Sequence, residues 1–511
     1  MRIERKRNVT RNIRIGFISK FIDLFLLFIL RTIVLHSLGI EYSGLDGLFS
    51  SILGFLSLSE LGIGSILVYS MYKPIAEDDN NTILALLYFY RKCYIIIGSI
   101  IIVVGVILIP FIPYLIKAGY PQNINIYVVF FIHLVNTSSS YFLFAYMTSI
   151  FQAYQRNDII SKVDLITNIL KSFSQIILLI LLKNYYVYII VLPITTILRN
   201  ILFFTFAHKY YPQFCHNIDS SSSFQLKGQF FINLKKQVVG IIFHKLGNSI
   251  FLYADNIVIS AILGLNYLGI YNYYYYVIMA VNIFMGIISN SLIPGIGNSL
   301  ILNSQDKNRY EFNIINYFYY WLTTVISSCM LCVYQAFMKL WIGNAYLFDF
   351  STVICFCILV YSLHINAALG IFKGAIGMWW EDKSRPILSA TFNLFLNIIL
   401  VNVIGINGVI ISSFLANILI DFPILATLIF KKCFDEYPCK FLFKQFLNFI
   451  KAIIIVSISY YLTSNIIPES TLSLMMKLIT CLVVSNVVFV LVNVCDKQSF
   501  EFYNYIRQKI K

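Results

Sequence analysis

Charged side chains inside apolar segments are the residues of this 511-residue sequence that could do chemistry. The basic ones are Lys20, Arg31, Lys171, Arg199, Lys245, Lys373, Lys451 and Lys477. The acidic ones are Asp23, Glu60, Asp164, Asp255 and Asp421. An ionised group in hydrocarbon costs at least about 2.5 kcal/mol, so each should face water, an opposite charge or, near a helix end, the interface. Cations that converge on a cavity suit an anionic headgroup such as a pyrophosphate, because ammonium and guanidinium groups donate charge-assisted hydrogen bonds to its oxygens.

The deeper level of charge contains two lysines. Lys20 and Lys245 each lie 20 residues from a turn, one near residue 40 and the other near residue 265. We predict that both bind the anionic headgroup. The other candidates for headgroup contacts are Arg199, Lys171 and Arg31. Local pairing is the alternative, since Lys20 is three residues from Asp23 and Glu60 lies at a similar depth.

An outer level of charge contains Arg31 and Asp255, which lie 9 and 10 residues from the same two turns. We predict an ion pair between them that closes the outer side while the cavity is open to the cytoplasm. A permanent pair within one helical bundle is the alternative. Asp23 and Glu60 are further candidates for gating or for binding a coupling ion.

Motifs for other chemistry do not occur in the sequence. It contains no G-x-x-x-x-G-K-[ST] phosphate loop, no H-E-x-x-H zinc pair and no G-x-S-x-G elbow. The pair Cys329-x-x-Cys332 lies in an apolar run, where core packing is the simpler interpretation. We therefore expect a transporter rather than an enzyme, with no metal site and no cofactor.

The composition predicts a multi-span, all-α membrane protein. The chain is 59% hydrophobic and only 12% charged, its mean hydropathy is +0.79, and apolar runs of about 20 residues recur along it. Fourteen membrane-spanning helices are predicted, near 13–37, 44–72, 93–116, 125–152, 159–182, 185–207, 237–263, 267–302, 313–340, 349–377, 385–404, 407–430, 445–466 and 471–494.

The distribution of basic residues supports this count. With fourteen spans, 27 lysines and arginines fall on the side of the N-terminus and three fall on the other side. Positive charge marks the cytoplasmic side, so both termini are predicted to be cytoplasmic. The outer loops are short, which disfavours an active site built on a large external loop.

An internal repeat is visible when the sequence is shifted by 225 residues. Residues 20–45 then align with residues 245–270 without a gap, and the match includes Lys20 with Lys245 and Gly39 with Gly264. A period of six helices keeps both halves in the same orientation. We predict two pseudo-symmetric six-helix lobes around a central cavity, as in alternating-access carriers, plus two C-terminal helices.

The predicted domain order follows from this repeat. It comprises a basic cytoplasmic N-terminal tail (1–12), an N-lobe (13–207), a cytoplasmic linker (208–236), a C-lobe (237–430), a cytoplasmic loop (431–444), two added helices (445–494) and a cytoplasmic C-terminal tail (495–511).

The sequence around the first two predicted helices resembles a known family. The stretch from Arg31-Thr32 through Leu38-Gly39, Glu41-Tyr42-Ser43-Gly44-Leu45 and Glu60-Leu61-Gly62-Ile63-Gly64 to Tyr72-Lys73-Pro74 resembles the start of bacterial Wzx-type polysaccharide flippases. Asp255-Asn256-Ile257-Val258-Ile259-Ser260 is similar to that family's seventh helix. The family belongs to the multidrug/oligosaccharidyl-lipid/polysaccharide exporter (MOP) superfamily.

The resemblance implies a specific substrate and location. It implies a flippase that moves undecaprenyl-pyrophosphate-linked oligosaccharide to the outer leaflet of the bacterial cytoplasmic (inner) membrane. There a polysaccharide polymerase or ligase would use it for O-antigen, such as that of lipopolysaccharide, capsule or exopolysaccharide. Coupling to H⁺, Na⁺ or the membrane potential is compatible with this function. The tyrosines of residues 271–276 could stack on sugars or form an interfacial belt.

Three other functions stay open at this point. A multidrug or cation antiporter of the same superfamily would bind its coupling ion at Asp23, although the surplus of intramembrane cations favours an anionic substrate. A flippase for a lipid-linked peptidoglycan precursor would also bind a pyrophosphate. A membrane glycosyltransferase or polymerase would need the large outer loops that are missing here.

Overall fold

The computed structural model describes residues 5–57, 63–215 and 228–510. They are predominantly helical, and no strand occurs among them. The chain divides into two compact units, Met1–Gly269 and Ile270–Lys511, which we call the first unit and the second unit. The prediction of an all-helical chain is confirmed. The predicted tail, lobe, linker and loop boundaries stay predictions.

The first unit contains nine helices among its described residues and the first turn of a tenth. They are α1 (Arg5–Ser37), α2 (Ile40–Leu56), α3 (Ile63–Ala76), α4 (Asn80–Leu108), α5 (Ile126–Phe142), α6 (Thr148–Ala153), α7 (Asn157–Leu182), α8 (Tyr185–Tyr210), α9 (Gly228–Ile262) and the start of α10 (Leu265–Leu302). Side chains that accept hydrogen bonds from first-turn N–H groups mark several starts. Asn125 and Asn184 do so for α5 and α8.

Asp79 caps α4 in the same way and lies just before it. Its carboxylate accepts from the Thr82 N–H at 3.1 Å and from the Thr82 hydroxyl at 2.5 Å. The hydrogen bond from the Thr82 side chain, followed by that from its backbone, holds the pKa of Asp79 below its usual value. The cap therefore depends on the ionised carboxylate.

The second unit contains the rest of α10 and nine further helices within the described residues. They are α11 (Gln305–Ile342), α12 (Phe350–Ile365), α13 (Ala367–Ile376), α14 (Arg385–Ile404), α15 (Ile406–Ala416), α16 (Phe422–Ile429), α17 (Cys439–Thr463), α18 (Thr471–Asn493) and α19 (Lys497–Ile510). Its core is rich in aromatic side chains. The ring of Phe312, for example, contacts those of Phe372, Phe430 and Phe441.

Many of these helices are long and apolar enough to cross a membrane. Ten helices or continuous helical runs in the described residues meet that condition. An eleventh span is formed if Ile126–Phe142 and Ala145–Ala153, which meet at 51°, are counted together. The other three predicted spans fall on α1, on α2 with α3, and on α9. The chain is a multi-pass membrane protein, and the total of fourteen spans stays a prediction.

The two turns of the sequence repeat contact each other inside the first unit. Gly44 lies so close to the Leu265 carbonyl oxygen that a Cβ on it would be 2.3 Å away. In the reciprocal contact, a Cβ on Gly269 would lie 2.4 Å from the Ile40 carbonyl oxygen. Each residue of one contact is 225 positions from its counterpart in the other, so the two turns are related by a local two-fold axis.

A hydrogen bond lies on this local axis. The Asn266 side-chain amide donates to the Glu41 carboxylate at 3.2 Å, and these two residues are themselves repeat partners, 225 positions apart. Gly39 and Gly264, which precede the two helices, have φ angles of +104° and +97°. These values suit glycine and few other residues. The turn glycines that revealed the repeat are thus required by the backbone.

Candidate functional site

A buried carboxylate connects four helices of the first unit. Asp46 of α2 is 5% exposed, and its Oδ2 accepts from Nη1 of Arg31 at 3.0 Å. The hydroxyl groups of Tyr185 and Tyr188 donate to the same carboxylate at 2.7 and 3.1 Å. Nε2 of His133 lies 3.7 Å from its Oδ1. Because a buried charge is stable only with such partners, Asp46 holds α1, α2, α5 and α8 together.

Asp46 lies near the start of the predicted span 44–72 and was not among the charged residues selected from the sequence. In the structure it forms an ion pair with Arg31 at 3.0 Å. The predicted pair of Arg31 with Asp255 stays a prediction. Asp255 is buried in α9. The gating role of Arg31 and Asp255 stays a prediction. The signal available in the sequence was a charged residue nearly two turns into a mostly apolar helix.

The side-chain amide of Asn168 lies between Asp23 and Lys171 and is hydrogen-bonded to both. The side chain of Asn168 donates to the Asp23 carboxylate at 3.0 Å, and Nζ of Lys171 donates to the Asn168 side-chain oxygen at 3.3 Å. These hydrogen bonds link α1 to α7, the helix on which Asn168 and Lys171 lie one turn apart. The arrangement places a positive and a negative group close together without direct contact.

Arg199 of α8 pairs with Asp164 of α7. Its Nε donates to the Asp164 carboxylate at 2.7 Å, and the guanidinium carbon lies 4.9 Å from the centre of the Phe203 ring. The two side chains are 36% and 30% exposed, so water or a ligand can reach the pair. Arg199 is therefore paired with a carboxylate on the neighbouring helix, and its predicted contact with a headgroup stays a prediction.

The two lysines of the deeper level are placed differently. Lys20 is exposed on α1 and forms no ion pair with any residue of the described chain. Lys245 is half-buried on α9. Their shared role in binding a headgroup stays a prediction. Glu60 lies outside the described residues.

A polar cavity of about 590 Å³ lies within the first unit, between α2, α4, α5, α8 and α9. Ten of its sixteen lining residues carry a hydroxyl group. They include Ser50, Ser140, Thr137, Thr196, Tyr141 and Tyr253. Among the described lining residues, Asn136 and His133 add an amide and an imidazole, Arg199 is the only lysine or arginine and is paired with Asp164, and none is acidic. The cavity thus offers many neutral hydrogen-bonding groups.

A second ionic cluster is buried in the second unit. Lys373 is 6% exposed and pairs with the Asp382 carboxylate. Arg385 bridges two carboxylates, with Nε 2.6 Å from Asp382 and Nη1 2.6 Å from Asp421. Ser389 donates a further hydrogen bond to Asp421 at 2.8 Å. Lys373 is therefore paired in the protein interior and does not extend to the interface.

The tyrosines at the start of α10 belong to the core of the second unit. Tyr273 and Tyr274 are fully buried, and Tyr271 is 3% exposed. The Tyr274 hydroxyl donates to the side-chain oxygen of Gln335 at 3.1 Å, and its ring stacks on that of Phe356. Neither an interfacial belt nor a sugar-stacking surface describes these three residues.

No family model and no curated protein matches the sequence. Solved structures do match the fold. The "Lipid II flippase MurJ, inward closed conformation" gives a TM-score of 0.64 at 16% identity, over 93% of this chain and 98% of that chain. An inward-facing multidrug resistance MATE family transporter of the MOP superfamily gives 0.59 at 13% identity, over 78% and 91%. The chain shares the fold of these two proteins.

A mutant of the Vibrio cholerae MATE transporter VcmN also has this fold and matches with a TM-score of 0.53 at 14% identity, over 81% of this chain and 95% of that chain. These similar structures are membrane transporters and flippases, not enzymes. Within the MOP fold, the Wzx-type assignment stays a prediction, and so does the substrate.

Proposed function

We propose that the chain is a flippase for undecaprenyl-pyrophosphate-linked oligosaccharide, which it moves from the cytoplasmic to the outer leaflet of a bacterial inner membrane. The product would enter O-antigen, capsule or exopolysaccharide assembly through a polymerase or ligase partner. The proposal rests on the MOP fold and on the surplus of positive charge in the first unit.

The charges of the first unit carry this proposal. The carboxylates of Asp46 and Asp164 are each neutralised by an arginine. Lys20 is exposed and has no acidic partner in the described chain, and none of the described residues that line the polar cavity is acidic. Such a surface attracts an anion and disfavours a cationic drug.

The membrane potential provides a driving force for this direction of transport. Outward movement of negative charge across an inside-negative membrane is favourable by about 2.3 kcal/mol per charge per 100 mV. A pyrophosphate diester carries two such charges. The proposal therefore needs no proton or sodium ion, although coupling to either is compatible with it.

A flippase for a lipid-linked peptidoglycan precursor is the second candidate. The observation that favours it is coverage, because the match to the lipid II flippase MurJ spans 93% of this chain whereas the MATE matches span 78% and 81%. Both candidate substrates contain a pyrophosphate, so the same cationic groups would serve either one.

The test is leaflet accessibility in proteoliposomes that contain the purified full-length protein. Undecaprenyl-pyrophosphate oligosaccharide and lipid II are compared, each with and without an inside-negative potential. Protein-dependent appearance of the oligosaccharide lipid on the far leaflet, faster with the potential, supports the proposal. Transfer of lipid II alone selects the second candidate. Efflux of a cationic dye without transfer of either lipid refutes both.

The headgroup lysines are tested in the same assay. We expect the double variant Lys20→Ala, Lys245→Ala to flip the substrate at least tenfold more slowly. The matched control is Lys73→Ala with Lys497→Ala, because these side chains are 82% and 89% exposed. A normal rate in the Lys20 and Lys245 variant shows that the pyrophosphate binds elsewhere.

A further inference from the structure

The polar cavity of the first unit has more hydrogen-bonding groups than its own walls use. The Asn136 side-chain oxygen accepts from Thr196 at 2.7 Å, and its amide N–H groups make no hydrogen bond to a described residue. No described residue forms a hydrogen bond with the side-chain hydroxyl of Ser50, Ser140 or Tyr253 either. In a membrane protein, polar groups left this way are satisfied by water or by a ligand.

His133 adds a second observation. It lines the cavity and is only 4% exposed, yet its Nε2 has no hydrogen-bond partner in the described chain and lies 3.7 Å from Asp46. A polar group that is buried without a partner costs roughly 1–3 kcal/mol. His133 therefore adds a polar side chain to the wall of the cavity, beside the buried Asp46 carboxylate.

The shape and chemistry of the cavity restrict the ligand. Its volume of about 590 Å³ lies within the roughly 300–1,000 Å³ typical of ligand sites. The half-buried Tyr253 ring provides a flat apolar surface among the hydroxyls, and Gly54 lets this ring lie directly against α2. A flat ring combined with many neutral donors and acceptors suits a sugar, which has both hydroxyl groups and apolar ring faces.

We propose that this cavity binds the terminal sugar units of the lipid-linked glycan, so that the first unit recognises the sugar itself. This inference rests on the proposed function, which supplies the lipid-linked substrate. Arg199, the one lysine or arginine among the described lining residues, is already paired with Asp164, so neutral hydroxyl and amide groups are the expected contacts for the sugar. Asn136, Ser140 and Tyr253 would provide hydrogen bonds to sugar hydroxyls.

The test compares short-chain polyprenyl pyrophosphates with and without sugar. The probes carry no sugar or a disaccharide of hexose, N-acetylhexosamine or hexuronate, and they bind to full-length protein in nanodiscs. We expect at least one disaccharide probe to bind more tightly than the bare lipid. Asn136→Leu should lower the affinity for that probe about tenfold, as expected for the loss of roughly one good hydrogen bond. It should leave the affinity for the bare lipid unchanged.

Two further variants keep this test decisive. Tyr253→Phe removes only a hydroxyl and serves if Asn136→Leu does not fold. Asn402→Leu makes the same change as Asn136→Leu at an exposed site of the second unit, and it should bind all probes normally. If no disaccharide probe binds more tightly than the bare lipid, or if Asn136→Leu weakens all probes equally, the sugar site is refuted while the flippase stands. If neither kind of lipid binds the wild type, the flippase itself is refuted.

Discussion

Asp46→Asn is the most informative single substitution, because the buried Asp46 accepts hydrogen bonds from two other helices and lies 3.7 Å from His133 on a third. The change is nearly isosteric and removes the negative charge opposite Arg31. Breaking a buried ion pair costs about 3–5 kcal/mol when one charge remains. The Arg31 side chain is 16% exposed and that of Asp46 is 6% exposed. Since water reaches part of the guanidinium, we expect the lower end, a loss of about 3 kcal/mol in the free energy of unfolding.

The assay is unfolding of the purified protein by sodium dodecyl sulfate in mixed micelles, followed by circular dichroism. Tryptophan fluorescence is unsuitable because all four tryptophans, Trp321, Trp341, Trp379 and Trp380, lie in the second unit.

A double-mutant cycle with Arg31→Met separates the ion pair from other effects. Replacing both charges should be less damaging than Asp46→Asn alone, because no buried charge is then left unpaired. Glu77→Gln, the same chemical change in an exposed pair with Lys73, should not alter stability measurably. A loss below about 1 kcal/mol for Asp46→Asn, or single effects that simply add in the double variant, would refute this reasoning.

Three further predictions concern other features of the fold. Gly269→Ala should lower the free energy of unfolding by about 1–3 kcal/mol, because its methyl group would clash with the Ile40 carbonyl. The control is Gly286→Ala, which has open space around it and should be neutral or slightly stabilising in the same unfolding assay. Asp382→Asn should cost about 3 kcal/mol by leaving the buried Lys373 without its carboxylate, while Arg385 keeps Asp421. An equal stability to wild type would contradict the role given to that cluster. Asp79→Ala should cost about 1 kcal/mol at pH 7 through loss of the cap. Because the folded pKa of Asp79 is lowered, the difference in stability between variant and wild type should disappear as the pH falls through that pKa. A difference in stability that persists in acid would show that the cap is not electrostatic.

Composition and periodicity were sufficient to predict an all-helical membrane protein, because long apolar runs have few other stable structures. The repeat could also be recognised in the sequence, since the backbone conformation at Gly39 and Gly264 requires glycine in both halves. The partners of the buried charges could not be predicted from the sequence. Asp46 gathers groups from α1, α5 and α8, and Asp382 returns from a loop to meet Lys373. Such contacts depend on how helices pack, and periodicity carries no information about which faces meet.

The reciprocal contact between the two turns has a consequence for how the protein is made. Gly44 closes against Leu265, a residue that leaves the ribosome 221 positions later. At a synthesis rate of about 5–20 residues per second, the first turn waits roughly 11–44 s before its partner exists. During that interval α1 and α2 must be held in the bilayer with one face uncovered. The order of insertion therefore makes the N-terminal helices the part of the nascent chain with the greatest need of protection by the insertion machinery.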